Sequence, residues 1–395
     1  MSYATRKERQ AILGADAVAV AMLQANPDVV AAYPITPQTG IVQTFASFVA
    51  DGLTDAEMVQ VESEHSAMSA VVGASAAGAR AMTATSANGL ALMWEIVYIT
   101  ASLRLPVVMP VVNRALSGNI NIHCDHSDAM GARDAGWIQI YCEDSQQSYD
   151  STIQAVKIAE KCLLPVMVCL DGFIISHAIE VVEILPDADV AKVVGQYKPA
   201  LSLLDVEHPT TFGPLDLQDF YFEHKRSHVK AIDDSAAVVE SVGREFAKLS
   251  GRGYGLFEAY RLEDAEIAAV MLGSTAGTAK VVVDALREEG VKAGLLELRL
   301  FRPFPAAQLV KALSGVKALA VLDRSTSPGA LGGPLFGEIR SAFYESGKRP
   351  PMVNYIYGLG GRDVGTDQVE SVYRDLAKVA GGKKMDLVRY LGLRE

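Results

Sequence analysis

The stretch VVAAYPITPQTG at residues 29–40 indicates the fold class of this chain. A short apolar run is followed by two prolines that bracket Ile35 and Thr36. Proline fixes its own φ and pushes the preceding residue toward extended geometry, so we expect Thr36 on a stiff loop at the carboxyl end of a strand. Ligands bind at that edge of an open α/β sheet. Thr36 is therefore a candidate site residue, although an ordinary strand-to-helix turn explains the spacing equally well.

The same alternation of apolar runs and helical patterns continues along the chain. The runs at 105–112 and 164–170 are continuously apolar, as expected for strands buried on both faces. The pattern predicts an α/β fold with a mostly parallel sheet covered by helices on both faces.

Two domains are predicted from the length and from a break in this pattern. Helical and strand periodicity is lost between about residues 187 and 230, and a helix is expected over 233–249. A second alternation begins at residue 267. We predict a first domain over residues 1–250 and a smaller α/β domain over residues 251–395.

Composition argues against several classes of partner. The formal net charge of −11 disfavours nucleic acid, whose phosphates require clustered Lys and Arg. No apolar run reaches the ~18 residues of a membrane span, and the first residues are charged, so a cytoplasmic location without membrane contact is expected. The four cysteines form no CxxC pair, which favours reduced structural thiols over a disulfide frame, a zinc site or an iron–sulfur cluster.

Two further predicted strand ends carry polar residues. Glu62 and Glu64 precede a helix rich in Ala and Gly, where Glu64 is either a site carboxylate or a cap of its own helix. The loop TATSANG at 83–89 offers Ser86 and Asn88 to a flat ligand, but simple helix capping accounts for it nearly as well. It contains neither a dinucleotide-binding fingerprint nor a phosphate-binding P-loop.

Arg114 follows the buried strand at 105–112 and has a guanidinium suited to a carboxylate. The alternative is that Arg114 pairs with Asp125 or Asp128. The segment His123–Asp128 resembles a metal site in composition, but ligands crowded into one short loop rarely close a tetrahedron. A hydrogen-bonded loop near Arg114 is preferred.

Strand-end loops of the predicted second domain receive no function. The loop at 272–278 could bind an anion with backbone amides or be an ordinary βα turn. The loops at 323–325 and 358–363 are left unassigned.

Taken together, these motifs resemble the alpha subunit of 2-oxoacid:ferredoxin oxidoreductases, in particular the pyruvate branch. The matching elements are YPITPQT at 33–39, SEHSA at 63–67 with the AVVGASAAGA helix, TATSANG at 83–89, NRALSGNINIHCDHSDAMGARDAGWIQ at 113–139, LDGFIISHAIE at 170–180 and LELRLFRPFP at 296–305.

The resemblance implies one subunit of a thiamine-diphosphate enzyme that converts pyruvate and coenzyme A to acetyl-CoA and CO2 and passes electrons to ferredoxin. It implies a pyrimidine-binding domain followed by a transketolase-C-terminal-like domain. This sequence contains neither the GDG-type motif for diphosphate and Mg2+ nor cluster cysteines. Separate beta, gamma and delta subunits are therefore expected to supply Mg2+ and the 4Fe–4S clusters.

The resemblance also implies roles for particular residues. Glu64, and not Glu62, shares a proton with the cofactor pyrimidine, and Arg114 binds the substrate carboxylate. Thr36 bonds the substrate oxygens. The predicted cofactor contacts are Pro34, Ile35, Thr36, Glu64, Ser86 and Asn88.

The sequence leaves three alternatives open. The same chemistry could act on a branched or other 2-oxoacid, since all present the same carboxylate. A transketolase-type transferase shares both domain types but needs no ferredoxin, and the NRALSGN and DHSD segments argue against it. A non-enzymatic scaffold subunit is disfavoured by three polar groups that converge at strand ends.

Overall fold

The computed structural model describes residues 2–394, which form two β-sheets flanked by helices and a separate pair of strands. The strands are β1 (Glu8–Leu13), β2 (Val29–Ala32), β3 (Glu57–Gln60), β4 (Ala81–Met82), β5 (Val108–Asn113), β6 (Ile138–Tyr141), β7 (Val166–Asp171), β8 (Ile179–Ile184), β9 (Phe257–Tyr260), β10 (Ile267–Met271), β11 (Ala293–Leu298), β12 (Leu300–Arg302), β13 (Ala318–Asp323), β14 (Met352–Tyr357) and β15 (Val388–Leu391). The helices are α1 (Gly14–Ala25), α2 (Thr39–Ala50), α3 (Glu64–Ala76), α4 (Ala87–Leu92), α5 (Trp94–Ser102), α6 (Ser127–Gly131), α7 (Ser145–Cys162), α8 (Asp187–Val194), α9 (Tyr221–Ser250), α10 (Thr275–Glu288), α11 (Ala306–Ala312), α12 (Pro334–Tyr344) and α13 (Thr366–Ala380). Among residues 2–394, every helix is too short or too polar to cross a membrane.

The first sheet has seven strands in the order β12-β6-β7-β5-β4-β2-β3. All its pairings are parallel except the one between β12 and β6. Every residue of β5 and β7 is buried, as their continuous apolar sequence requires. The predicted α/β fold is confirmed.

The second sheet has six strands in the order β15-β14-β13-β10-β11-β9, with only β9 antiparallel to its neighbour. Its strands all follow α9, which ends at Ser250 before Gly251 in the left-handed region at φ 83°. One strand from this half of the chain, β12, instead joins the first sheet through β6. The boundary at residue 250 stays a prediction, and the second half of the chain is called the second domain below.

Several elements differ from the sequence-based expectation. The helix expected over 233–249 begins at Tyr221, and the connection expected from residue 187 contains α8. The first turns of α9 are exposed, so they show no apolar face that periodicity could detect. The strands β1 and β8 were not predicted because they pair with each other far apart in sequence.

Candidate active site

The carboxyl ends of β2, β3, β4 and β5 form one edge of the first sheet, because these strands are parallel and adjacent. Hydrogen bonds join the loops that leave this edge. The Nε2 of Gln38 donates to the carbonyl oxygen of Ala84 at 2.8 Å. The Oγ of Ser86 donates to the carbonyl oxygen of Val112 at 2.7 Å. The loops after β2, β4 and β5 therefore form one connected surface.

Glu64 occupies the first position of α3, directly after the N-cap residue Ser63. The Ser63 side chain accepts a hydrogen bond from the backbone N–H of Ser66 at 3.2 Å, so the side-chain cap of this helix is Ser63 and not Glu64. Glu64 is only 7% exposed, and no donor within residues 2–394 bonds its carboxylate. Glu62 is exposed and accepts a hydrogen bond from the Ser66 hydroxyl.

Gly89 lies against the carboxylate of Glu64 and the hydroxyl of Thr85. A Cβ atom on Gly89 would lie 2.7 Å from Glu64 Oε1 and 2.5 Å from Thr85 Oγ1, so a larger residue would displace both side chains. Thr85 Oγ1 is buried and has no hydrogen-bond partner in the described chain. A buried polar atom without a partner is unfavourable, so the Thr85 hydroxyl is suited to a ligand that supplies a hydrogen-bonding group.

Arg114 lies beside Thr36, 78 residues away in sequence. Its Nη1 donates to the carbonyl oxygen of Thr36 at 2.8 Å, and its Nε donates to that of Asn121 at 3.2 Å. Arg114 is buried, and no described carboxylate lies within 4.0 Å of its guanidinium, so the alternative pairing with Asp125 or Asp128 is wrong. The other N–H groups of the guanidinium can bind a carboxylate in a paired geometry.

Asp128 acts on Arg114 through the backbone. Its carboxylate accepts hydrogen bonds from the backbone N–H of Arg114 and of Ala87, both at 3.0 Å. The side-chain amide of Asn113 donates to the same carboxylate at 2.8 Å. Burial raises the pKa of Asp128 to about 6, although these hydrogen bonds act to lower it. One buried carboxylate thus fixes the starts of the loop that carries Arg114 and of α4.

The remaining predicted cofactor contacts lie on the same surface with different exposures. Pro34 and Asn88 are exposed and Ile35 is half-buried. Asn88 Oδ1 accepts a hydrogen bond from the Ser117 hydroxyl at 3.2 Å, which joins the loops after β4 and β5. Ser86 is fully buried, and its hydroxyl is already donated to the backbone. Of the predicted contacts, Ser86 is the one whose hydroxyl supports the scaffold.

The segment of residues 114–126, called the 114–126 loop, reaches the second domain. His126 Nε2 lies 2.8 Å from Asp171 Oδ1 at the end of β7. Arg324 and Ser274 donate to Asp171 Oδ2 at 2.9 and 2.6 Å. Burial alone would raise the pKa of Asp171, but the adjacent His126 and Arg324 hold that pKa well below its usual range.

The residues around Asp171 also test whether the segment His123–Asp128 forms a metal site. Cys124, His126 and Asp171 each place one possible ligand atom within 4.8 Å of the others. Burial raises the pKa of the Cys124 thiol well above its usual value, which disfavours the thiolate that binds metals. Because Arg324 also pairs with Asp171, the geometry favours a hydrogen-bonded loop over a metal site.

Residues that the sequence analysis missed are those that hold the edge together. Gln38 and Asp171 were given no role, and Asp128 was considered only as a possible ion-pair partner of Arg114, yet each bonds backbone or side chains from another loop. One signal was available, because Asn113 and Asp171 are polar residues that end two neighbouring apolar strands. Their partners are distant in sequence and could not be identified from it.

Comparison with known proteins places this geometry in a family. Residues 20–244 match the family model described as pyruvate flavodoxin/ferredoxin oxidoreductase, thiamine-diphosphate binding, and residues 265–369 match that of pyruvate:ferredoxin oxidoreductase core domain II. The chain is 60% identical to pyruvate synthase subunit PorA of Thermotoga maritima, over 98% of this chain and 99% of that protein. It is 44% identical to ketoisovalerate oxidoreductase subunit VorA of Pyrococcus horikoshii, over 96% of each.

Solved structures show the same fold at low sequence identity. A chain of the 2-oxoglutarate:ferredoxin oxidoreductase from Magnetococcus marinus aligns with a TM-score of 0.71 and 22% identity, covering 94% of this chain and 65% of that one. A split-gene transketolase aligns with a TM-score of 0.57 and 14% identity, covering 94% of this chain and 100% of that one. The predicted resemblance is confirmed, and the chain belongs to the pyruvate flavodoxin/ferredoxin oxidoreductase family as a subunit with a thiamine-diphosphate-binding domain.

Proposed function

We propose that this chain is the alpha subunit of a complex that oxidises pyruvate, and that Glu64, Thr36 and Arg114 carry its share of the active site. The reaction converts pyruvate and coenzyme A to acetyl-CoA and CO2, and its two electrons pass to ferredoxin. The observation that carries the proposal is the buried Glu64 carboxylate without a hydrogen-bond partner in the described chain, on the same sheet edge as the Arg114–Thr36 pair.

Glu64 and its surroundings fit the ring of thiamine diphosphate. Thr85 Oγ1 is a buried polar atom without a partner, and Gly89 keeps the backbone close to the carboxylate. When bound, the cofactor supplies the carbon nucleophile that cleaves 2-oxoacids next to the carbonyl. Glu64 would hold a proton between its carboxylate and ring nitrogen N1′. Pro34, Ile35 and Asn88 would line the ring's surroundings, and Ser86 would fix their backbone.

Arg114 and Thr36 would orient the substrate. The guanidinium keeps N–H groups available after its bonds to the carbonyl oxygens of Thr36 and Asn121. These groups suit the pyruvate carboxylate, while the exposed Thr36 hydroxyl can donate to a substrate oxygen. A second substrate carboxylate would need another cation, since leaving a charge unpaired in a closed site is strongly unfavourable.

The partners follow from what this chain does not supply. The proposed beta, gamma and delta subunits would provide the diphosphate site with its Mg2+ and the 4Fe–4S clusters, in a cytoplasmic complex. Without them, most of the cofactor's charge lacks ligands. The isolated chain should therefore bind thiamine diphosphate poorly, and micromolar binding to this chain alone in calorimetry with Mg2+ would contradict the division of the site.

A substrate panel tests the proposal as a whole. The purified complex is given pyruvate, 2-oxobutyrate, 2-oxoisovalerate, oxalate and 2-oxoglutarate with coenzyme A and ferredoxin. We expect the highest kcat/KM for pyruvate. Because a relative at 44% identity is a ketoisovalerate oxidoreductase subunit, 2-oxoisovalerate is the second candidate. Faster turnover of oxalate or 2-oxoglutarate would overturn this account of the pocket.

A further inference from the structure

We propose that the second domain is a working part of the substrate site, in which Arg324 and the turn at 358–361 hold the 114–126 loop in the position that Arg114 needs. The inference rests on the proposed role of Arg114. It assigns a positioning function to a domain whose strand-end loops received none from the sequence.

Arg324 anchors the end of the 114–126 loop in two ways. Its backbone carbonyl oxygen accepts a hydrogen bond from the backbone N–H of His126 at 2.8 Å. Its guanidinium donates to Asp171, which in turn bonds the imidazole of His126. Arg324, Asp171 and His126 are at most 4% exposed, so water does not compete effectively for these bonds. The end of the loop is thus fixed by one residue of the second domain and one strand end of the first.

The turn at 358–361 holds the middle of the loop. Asn121 Nδ2 donates to the carbonyl oxygen of Gly360 at 3.0 Å, and the backbone N–H of Gly361 donates to that of Cys124 at 2.6 Å. A Cβ atom on Gly360 would lie 2.3 Å from Asn121 Nδ2, and one on Gly361 would lie 2.4 Å from the Cβ of His123. Both glycines have positive φ, so the turn depends on them for conformation and for contact.

These contacts lead directly to Arg114. The carbonyl oxygen of Asn121 accepts the hydrogen bond from Arg114 Nε, while the Asn121 side chain is held by Gly360. The backbone N–H of Ala115 also donates to the carbonyl oxygen of His123 at 2.9 Å. If the second-domain contacts are lost, Asn121 is no longer held in place and cannot fix the Arg114 side chain. A smaller fraction of molecules would then have the guanidinium in the geometry that binds substrate.

Other contacts already join the two halves of the chain, so these bonds are not needed for adhesion. Strand β12 pairs with β6 in the first sheet. Lys280 of α10 forms ion pairs with Glu143 at 2.6 Å and with Glu258 at 2.8 Å. Lys280 therefore offers a matched control, because its removal also breaks an ion pair between the halves but touches no residue of the 114–126 loop.

The test compares Arg324→Gln, Arg324→Lys and Lys280→Gln in the reconstituted complex. Pyruvate-dependent ferredoxin reduction gives KM and kcat, and hydrogen exchange with mass spectrometry reports on residues 114–126. We expect Arg324→Gln to raise KM for pyruvate by about tenfold with a smaller change in kcat, since apparent affinity falls with the fraction of molecules in the competent conformation. Exchange in the 114–126 loop should rise, and Arg324→Lys should restore part of the affinity.

Lys280→Gln should leave KM within about twofold of the wild type and leave exchange of the 114–126 loop unchanged. An Arg324→Gln complex with wild-type KM and wild-type exchange in that loop would overturn the inference. Equal effects of Arg324→Gln and Lys280→Gln would overturn it too, because they would indicate general loosening of the chain. If Arg114→Lys also leaves KM unchanged, the result contradicts the proposed role of Arg114 in substrate binding, and the exchange measurement then decides whether Arg324 positions the 114–126 loop.

Discussion

Polar residues lie at the carboxyl edges of both sheets, but they differ in whether their side chains already have hydrogen-bond partners. At the first edge, Glu64 and the Thr85 hydroxyl have no hydrogen-bond partner in the described chain, and the Arg114 guanidinium meets no carboxylate. At the second edge, Ser274 and Arg324 are bound to Asp171. The same position in an α/β sheet is therefore either available to a ligand or used to hold neighbouring structure, depending on whether its polar groups are already satisfied.

Asp323 is the clearest example of a strand-end carboxylate at the second edge that is already hydrogen-bonded within the protein. It ends β13 and accepts hydrogen bonds from the backbone N–H of Leu335 at 2.8 Å and of Phe336 at 3.1 Å, at the start of α12. The side chain of Asn354 donates to it at 2.8 Å. Its carboxylate is occupied as a helix cap, whereas the Glu64 carboxylate, also buried, is not used by its own helix. Substitutions of Glu64 and of Asp323 should consequently affect different quantities.

The largest expected effect is that of Glu64→Gln on catalysis. An amide cannot pass a proton to N1′, and loss of a general acid–base group costs about 10²–10⁴ in rate. We expect kcat for pyruvate-dependent ferredoxin reduction to fall by that range while the complex stays assembled. Glu62→Gln is the matched control, since Glu62 is exposed and should change kcat little. Near wild-type turnover by Glu64→Gln would show that the Glu64 carboxylate is not the acid–base group of the site.

Arg114→Lys should come next in size. A lysine keeps the charge but cannot reproduce the fork that binds a carboxylate and the carbonyl oxygens of Thr36 and Asn121 together. We expect KM for pyruvate to rise and kcat to fall, with kcat/KM lower by about 10-fold or more. Steady-state kinetics over a range of pyruvate concentrations measures both, and an unchanged kcat/KM would show that Arg114 does not recognise the substrate.

Asp323→Asn should affect stability and spare catalysis. The amide places an NH2 group against donors that now meet a carboxylate oxygen, which costs about 1–2 kcal/mol in the free energy of unfolding. Denaturant unfolding of the purified chain, followed by circular dichroism, measures this loss. KM for pyruvate should stay at the wild-type value. A large rise in KM with normal stability would mean that Asp323 acts on the substrate site and not only as a helix cap.

The last expected effect is a pH dependence of stability that separates two buried aspartates. Burial raises the pKa of Asp323 to about 6, so the protonation-dependent part of its contribution to stability is full below its unfolded pKa of about 4 and is lost as the pH rises through about 6. The pKa of Asp171 is lowered, so its contribution is present above about pH 4 and is lost at lower pH. Asp323→Asn should flatten the decline between about pH 4 and 6, and an unaltered slope would argue against this assignment.

The fold class, which is confirmed, and the reactive side chains, which stay a prediction, were both inferred from local patterns. Continuous apolar strands and the proline-bracketed Thr36 are local patterns, and so is a carboxylate at a strand end. The contacts that fix the site are not local: Gln38 reaches Ala84 across 46 residues, and Asn121 reaches Gly360 across 239. Pairings of that range depend on the folded topology, as does the entry of β12 into the first sheet.

The most direct test is a structure of the assembled complex with thiamine diphosphate bound. We expect a carboxylate oxygen of Glu64 within about 2.6–3.2 Å of ring nitrogen N1′ of the cofactor, as proton sharing requires. We also expect Thr85 to face the same ring and Glu62 to remain in solvent. A cofactor ring held by other residues, with the Glu64 carboxylate bonded to protein or water instead, would contradict the central claim.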